Sequence, residues 1–294
     1  MDNTAEREWK GQSRGGKIGN AIFVRTIKFF GVKCAYILLS LVVIYFIPFA
    51  PTATKSIWAY NRKRLGYGRL RSIYELYMHY FVFGQTLIDK IALKSGLQNR
   101  FNFEFDNYER FLEIINGENG VVMIGAHIGN WEAGSVFFGD YGKKINVVMF
   151  DVERKEIRDV LEKDSKRAGY KIIPVNEGSI EALLKIKIAL NEGEYVCFNG
   201  DRHIDADTAV EKEFLGATAK FPIGPFRIAA KCRVPVVFYY SVREKKCTYR
   251  FMFTEVKDFN RDSDILLDTY VKSLEEVVKK YPRQWFNFYN FWND

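Results

Sequence analysis

Cysteine is scarce and scattered here: Cys34, Cys197, Cys232 and Cys247 are the only four in 294 residues, and no two stand in a C-x-x-C pair. That spacing suggests neither a zinc site nor a disulfide framework and fits a reducing, cytoplasmic environment. Histidine is scarcer still, with three in all and none at metal-ligand spacing, so no metal site and no cofactor are expected. The G-x-S-x-G elbow is absent, so no serine is marked as a nucleophile. There is no internal repeat and no low-complexity linker.

Acidic residues are sparse at one end only. The chain carries a net +8, yet residues 1–72 hold thirteen Lys and Arg against three acids, so the remainder is close to neutral. Inside the basic region lies CAYILLSLVVIYFIPFAPTAT, residues 34–54, twenty-one positions without a charge between Lys33 and Lys55. That is long enough to cross roughly 30 Å of hydrocarbon, but Pro48 and Pro51 bend or end a helix before the run is finished. Seven cations precede the run and six follow closely, so the positive-inside rule leaves a single span and a segment returning to the same side both open. Upstream, AIFVRTIKFFGVK interleaves Ile22, Phe23, Ile27 and Phe30 with Arg25, Lys28 and Lys33, the pattern of a helix in the headgroup layer of an anionic membrane. A buried helix of a soluble protein is the bland alternative. Nucleic acid is a poor partner, because the cations accompany lipid-compatible residues and no reading motif.

Residues 56–98 are expected to be helical, with Leu70, Ile73, Tyr74, Tyr77, Tyr80 and Phe81 forming an aromatic packing face. From about residue 99 the rhythm changes. GVVMIGA, INVVMF, YKIIPV, EYVCFN and VPVVFYY read as buried strands, and 152–169 and 178–193 read as amphipathic helices between them. The expected organisation is an N-terminal helical membrane-association region, 1–98, followed by an α/β domain, 99–294, with a largely parallel central sheet covered by helices. YRFMFTEV, residues 249–256, adds a strand as a hairpin with VPVVFYYSV, and a helix over about 262–280 precedes the aromatic tail QWFNFYNFW.

The first strand runs into MIGAHIGNWEAG, residues 123–134, so His127 falls at a strand end, where ligand sites of open α/β sheets gather. His127 and Glu132 share a site only if the histidine is in the loop and the glutamate in the first helical turn, since five helical steps of about 100° separate them around a helix. A carboxylate on one ring nitrogen fixes the tautomer and leaves the other to accept a proton from a hydroxyl. With no nucleophile beside the pair, that hydroxyl belongs to a substrate. A turn histidine and an ordinary first-turn acid are the alternative.

HIGNWE resembles the H-x4-[DE] block of the lysophospholipid-acyltransferase superfamily, and its glycine, asparagine and tryptophan resemble the branch holding the late acyltransferases of lipid A biosynthesis. NGDRH at 199–203 and EFLGATAKFPIGPFRIAAKCRVPVV at 213–237 are similar to later blocks of that branch, with Asp201-Arg202-His203 where Asp-x-Asp is usual. GDR together with QWFNFYNFW resembles a side branch of predicted acyltransferases, some encoded with aryl-polyene pathways. The resemblance covers about residues 20–292 and implies that acyl passes directly from a thioester, usually on acyl carrier protein, to a hydroxyl of a lipid or glycolipid such as a lipid A precursor. An aryl-polyene or other envelope lipid is the alternative acceptor; a hydrolase and a non-catalytic lipid-binding protein are the rivals.

Carried onto this sequence, the resemblance makes His127 the general base and Glu132 its orienting partner. Asn130, Asp201, Arg202, Gly224 and Arg227 become the substrate-binding candidates. Arg202 is placed to bind phosphate or steady charge on the thioester oxygen, or else to form a structural pair with Asp201. Phe214, Gly216, Pro222, Gly224 and Pro225 are expected to line a wall of the acyl groove. The implied location is the cytoplasmic side of a bacterial inner membrane. His79 is expected in the core or at an interface, and the aromatic tail is expected to pack, with membrane contact as an option for its tryptophans.

Overall fold

The computed structural model describes residues 16–130, 143–150, 170–175, 180–202 and 209–292. Its centre is a seven-stranded sheet of β1 (Asn102–Phe105), β2 (Val121–Gly125), β3 (Ile145–Phe150), β4 (Tyr170–Val175), β5 (Tyr195–Asn199), β8 (Val236–Arg243) and β9 (Thr248–Val256). The hairpin of β6 (Ala209–Phe214) and β7 (Ala217–Pro222) stands apart from it. The order is β1-β9-β8-β2-β5-β3-β4, and every pair is parallel except β8 with β9. The Val- and Ile-rich runs and the 249–256 hairpin therefore fold as their pattern predicts.

Because successive strand residues point to opposite faces, each interior strand feeds two cores. Val122 and Ile124 of β2 belong to one hydrophobic cluster, which α5 (Ile180–Asn191), α6 (Gly224–Lys231) and α7 (Ser263–Lys280) cover with Ile186, Phe226 and Leu266. Val121 and Met123 belong to the other, covered by α1 (Gly16–Phe46), α3 (Arg69–Lys94) and α4 (Tyr108–Ile115) through Leu39, Ile88 and Phe111. The result is a largely parallel sheet between two helical layers, in which the N-terminal helices and the sheet share one continuous core.

Two expectations change, and a third is not reached. Residues 56–98 are not one helix: α2 (Pro51–Ala59) widens into a π turn over Tyr60–Arg64, and the helix is interrupted at Gly66, whose φ of +66° is open to glycine, before α3 starts. Leu70, Ile73 and Tyr74, the start of the expected packing face, are exposed, whereas Tyr80 is buried. The helix expected over 152–169 lies outside the described residues. The tail packs as expected, with Trp285, Phe286, Phe288 and Phe291 all buried.

His79 is a core residue of α3, ringed by Tyr60, Phe286 and Phe288. Burial pushes its pKa down to about 3 against a hydrogen bond to the Trp285 backbone, and Nε2 has no hydrogen-bond partner among the described residues. The folded value lies below the ordinary histidine value, so the stability is intact above about pH 6.5. It is lost as pH falls from there toward 3, because only the unfolded chain takes the proton, at a slope approaching about 1.4 kcal/mol per pH unit. His79→Phe, which keeps an aromatic ring in an aromatic cage, is expected to lose about 2 kcal/mol less than wild type between pH 7 and pH 5. Urea unfolding at the two pH values measures this, and equal losses would refute it.

Candidate active site

The site follows from register. β2 and β5 are adjacent and parallel, and Gly125 stands opposite Asn199 at their carboxyl ends. His127 comes two residues after the first and Asp201 two residues after the second, so equal offsets bring them face to face. The His127 ring Nδ1 lies 2.8 Å from Asp201 Oδ1, and the His127 backbone N–H donates to Oδ2 at 2.9 Å. Trp285 adds a third donor, its Nε1–H reaching Oδ2 at 3.2 Å. The Asp201 side chain is 2% exposed and that of His127 is 22% exposed, so the carboxylate is sealed while the ring keeps an open edge. Burial alone raises the Asp201 pKa, but the charge and hydrogen bonds of His127, with Arg202 nearby, bring it down to about 2. A buried carboxylate with three N–H donors stays ionised and holds Nδ1 as the protonated nitrogen. Nε2 is then left to accept a proton; among the described residues Asn199 Nδ2 lies 3.5 Å from it.

The loop carrying the histidine is held on both sides like an extra strand. The Phe286 N–H donates to His127 O and the Gly129 N–H to Gln284 O, both at 2.8 Å, while the Asn130 N–H donates to Ser241 O at 2.8 Å. Gly129 has φ +61°, and a Cβ there would sit 1.9 Å from the Ser241 carbonyl oxygen, so only glycine passes between β8 and the tail. Gln284 locks the arrangement from its side chain, exchanging two hydrogen bonds of 2.7 Å with the backbone of Arg243. At the strand end itself, Gly125 O accepts from the Tyr270 hydroxyl and from the Gly200 N–H.

A family model for bacterial lipid A biosynthesis acyltransferases matches residues 74–294. The chain belongs to this family. The match spans His127, Asp201 and Trp285, so the candidate site lies within the matched residues, and α1 lies before them. No curated protein matches the chain.

The other residues singled out from the acyltransferase blocks have varied fates. Asn130 is buried, and its Nδ2 reaches the Tyr249 hydroxyl at 3.4 Å and Thr86 O at 3.5 Å, turned toward α3 rather than toward the open edge of His127. Arg202 donates Nη2 to Phe286 O at 2.8 Å and lies over the Tyr289 ring, so its guanidinium ties the site to the tail. Gly224 and Arg227 are exposed on α6, and among the described residues a Cβ on Gly224 would meet nothing within 4 Å. Phe214, expected in the groove wall, is fully buried against Trp285, Phe291 and Phe221, which makes it core. Glu132 and His203 lie outside the described residues.

Sequence reading missed a buried polar cluster behind the loop. Asp89 of α3 accepts from the hydroxyls of Tyr36 and Tyr249 and from Arg243 Nε at 2.9 Å, and the Tyr249 hydroxyl in turn receives Asn130. Burial pushes the Asp89 carboxyl above its ordinary range, with Arg243 and the two phenols pulling against it. Ser72, Glu75, His79, Thr86 and Asp89, all buried, recur at helical spacing along α3, and that polar stripe was the available signal.

Proposed function

We propose that this protein is a membrane-associated acyltransferase that moves an acyl chain from a thioester, with acyl carrier protein as the expected donor, to a hydroxyl of a lipid or glycolipid acceptor. The observation that carries the reading is the His127–Asp201 pair, a sealed carboxylate on Nδ1 and an accessible ring edge at the carboxyl end of the sheet. Nε2 takes the proton of the acceptor hydroxyl as its oxygen attacks the thioester carbon. The tetrahedral adduct then collapses with loss of the C–S bond, and the imidazolium returns the proton to the leaving thiolate. Asp201 stabilises the imidazolium between the two steps, and such proton transfer contributes on the order of 10²–10⁴ in rate. With no covalent enzyme intermediate, both substrates must be held together, and positioning supplies the rest. Asp201 takes the orienting role on Nδ1; Glu132 of the same block is kept as a second carboxylate of the site. Asn130 and Arg202 act by fixing the loop and the tail, and Gly224 and Arg227 offer an outer surface to substrate.

A lipid A precursor is the acceptor to try first, and the GDR and QWFNFYNFW blocks support a different envelope lipid as the second. The cytoplasmic face of the inner membrane fits an acyl carrier protein donor. The test uses protein in nanodiscs, acyl carrier protein bearing a labelled chain, and host lipid extract. Label is expected in one lipid with wild type and is expected to vanish with His127→Ala. Labelled free acid formed without acceptor would instead support a hydrolase, and no acyl turnover at all a lipid-binding protein.

A further inference from the structure

By length and composition alone, Ile22–Phe49 could cross a membrane. The backbone argues otherwise. α1 is broken at Gly31, whose φ of +80° and ψ of 174° are not helical. At the other end, the helix tightens over Ile47–Phe49 and turns at Ala50, before Pro51 opens α2. The unbroken helix between Gly31 and Ile47 spans about 22 Å at about 1.5 Å per residue, short of roughly 30 Å of hydrocarbon.

One face of that helix is also taken. Val32, Ala35, Leu39 and Val43 are buried in the core that α1 shares with the sheet. Leu39 sits so close to α3 that a Cβ on Gly84 would come within 2.4 Å of it. Ser40 O accepts from the Tyr77 hydroxyl at 3.2 Å, and Tyr36, midway along, bonds to Asp89. A bilayer crossed by α1 in this arrangement would take α3 with it, including the Asp89–Arg243 ion pair, and ionised groups at that depth are costly. The opposite face is a different surface: Ile37, Leu41, Ile44 and Tyr45 are each more than half exposed and recur at helical spacing, and Phe30, just before the break, is exposed as well. The exposed cations Arg25, Lys28 and Lys33 precede Ile37, and Lys55, Arg62 and Arg69 follow Tyr45, a complement to anionic headgroups at both ends.

We infer that α1 is a monotopic membrane face: it lies on the bilayer with its Ile37–Tyr45 stripe in one leaflet, fastened to the sheet through Tyr36, and does not cross. This rests on the membrane-associated part of the proposed function and not on the transfer chemistry.

The test places single cysteines on either side of the stripe, Arg25→Cys and Lys55→Cys, with the four native cysteines replaced by serine. Each is labelled with a membrane-impermeant maleimide in sealed inverted inner-membrane vesicles and in spheroplasts. The same two substitutions in the wild-type background, with native labelling subtracted, guard against misfolding. Both positions are expected to label in inverted vesicles and neither in spheroplasts. Labelling of one position from each side would establish a span and overturn the inference. Recovery of the wild-type chain in the soluble fraction would overturn it too, by removing the membrane reading on which it rests, and lipid labelling in nanodiscs would report on the chemistry independently of either result.

Discussion

Asp201→Asn is expected to lower kcat for acyl transfer by on the order of 1,000-fold, nearly as far as His127→Ala, with little change in overall shape. The carboxylate accepts three N–H groups at once, from the His127 backbone, the His127 ring and the Trp285 indole. An amide carries one oxygen and one NH2, so one of its ends must face a donor. A ring flip or the other tautomer relieves that conflict, and either one leaves Nε2 carrying a proton or misdirected. The imidazolium also loses the charge that stabilises it. A conflict of this kind in a buried site costs about 1–3 kcal/mol of stability, small beside the loss in rate. Because Asp201 acts through His127, rate alone is not the full test. Ring-nitrogen NMR of His127 should show the proton on Nδ1 in wild type and a shift toward Nε2 in the variant. Activity within tenfold of wild type, together with an unchanged tautomer, would sink the assignment and return the orienting role to Glu132.

Trp285 carries the largest expected effect on stability. It is 1% exposed, with Tyr60, Phe214, Phe291 and Trp292 all within 6 Å of its ring centroid. Trp285→Ala is expected to cost about 3–5 kcal/mol, the range for removing a fully packed aromatic, and to lower the thermal midpoint by on the order of 10 °C. Trp285→Phe separates packing from chemistry. It keeps most of the ring contacts but removes the indole N–H from Asp201, and a hydrogen bond to a charged group contributes about 1.5–3 kcal/mol. Its loss should appear mainly in kcat, with the thermal midpoint closer to wild type. A Trp285→Ala protein within 1 kcal/mol of wild type by denaturant unfolding would show that the cage collapses without cost.

The reach of sequence reading is clearest at His127. Glycines around a histidine just after a Val-rich run were enough to place it at a strand end, and the family blocks gave it a chemistry. The carboxylate resting on it was harder to see. Asp201 is 74 positions away, and only the pairing of β2 with β5 makes the two offsets equal; nothing local to either segment carries that register. The sheet was legible for a simple reason: buried parallel strands are continuous apolar runs, and five of them were visible as such. Tertiary packing hid other features. Asn130 looked like a ligand-facing polar residue but is satisfied by Tyr249 and Thr86, and Phe214 looked like a groove wall but is enclosed by the tail. Gly31 lies within an apolar stretch whose composition favours a long helix, so its positive φ left no trace in the periodicity.

The tail that completes the site is also distant from it in the chain. His127–Gly129 pairs with Gln284–Phe286, so the closing contact spans more than half of the sequence, and long-range contacts of this kind form late because their loop entropy must be overcome first. α1 and α3, by contrast, are neighbours in sequence and leave the ribosome long before Trp285 does. Folding therefore has a built-in order: the helical layer that carries the exposed apolar stripe can assemble from local contacts, while Asp201 waits for its third donor. Until the tail docks, the base is unfinished, whatever else has folded.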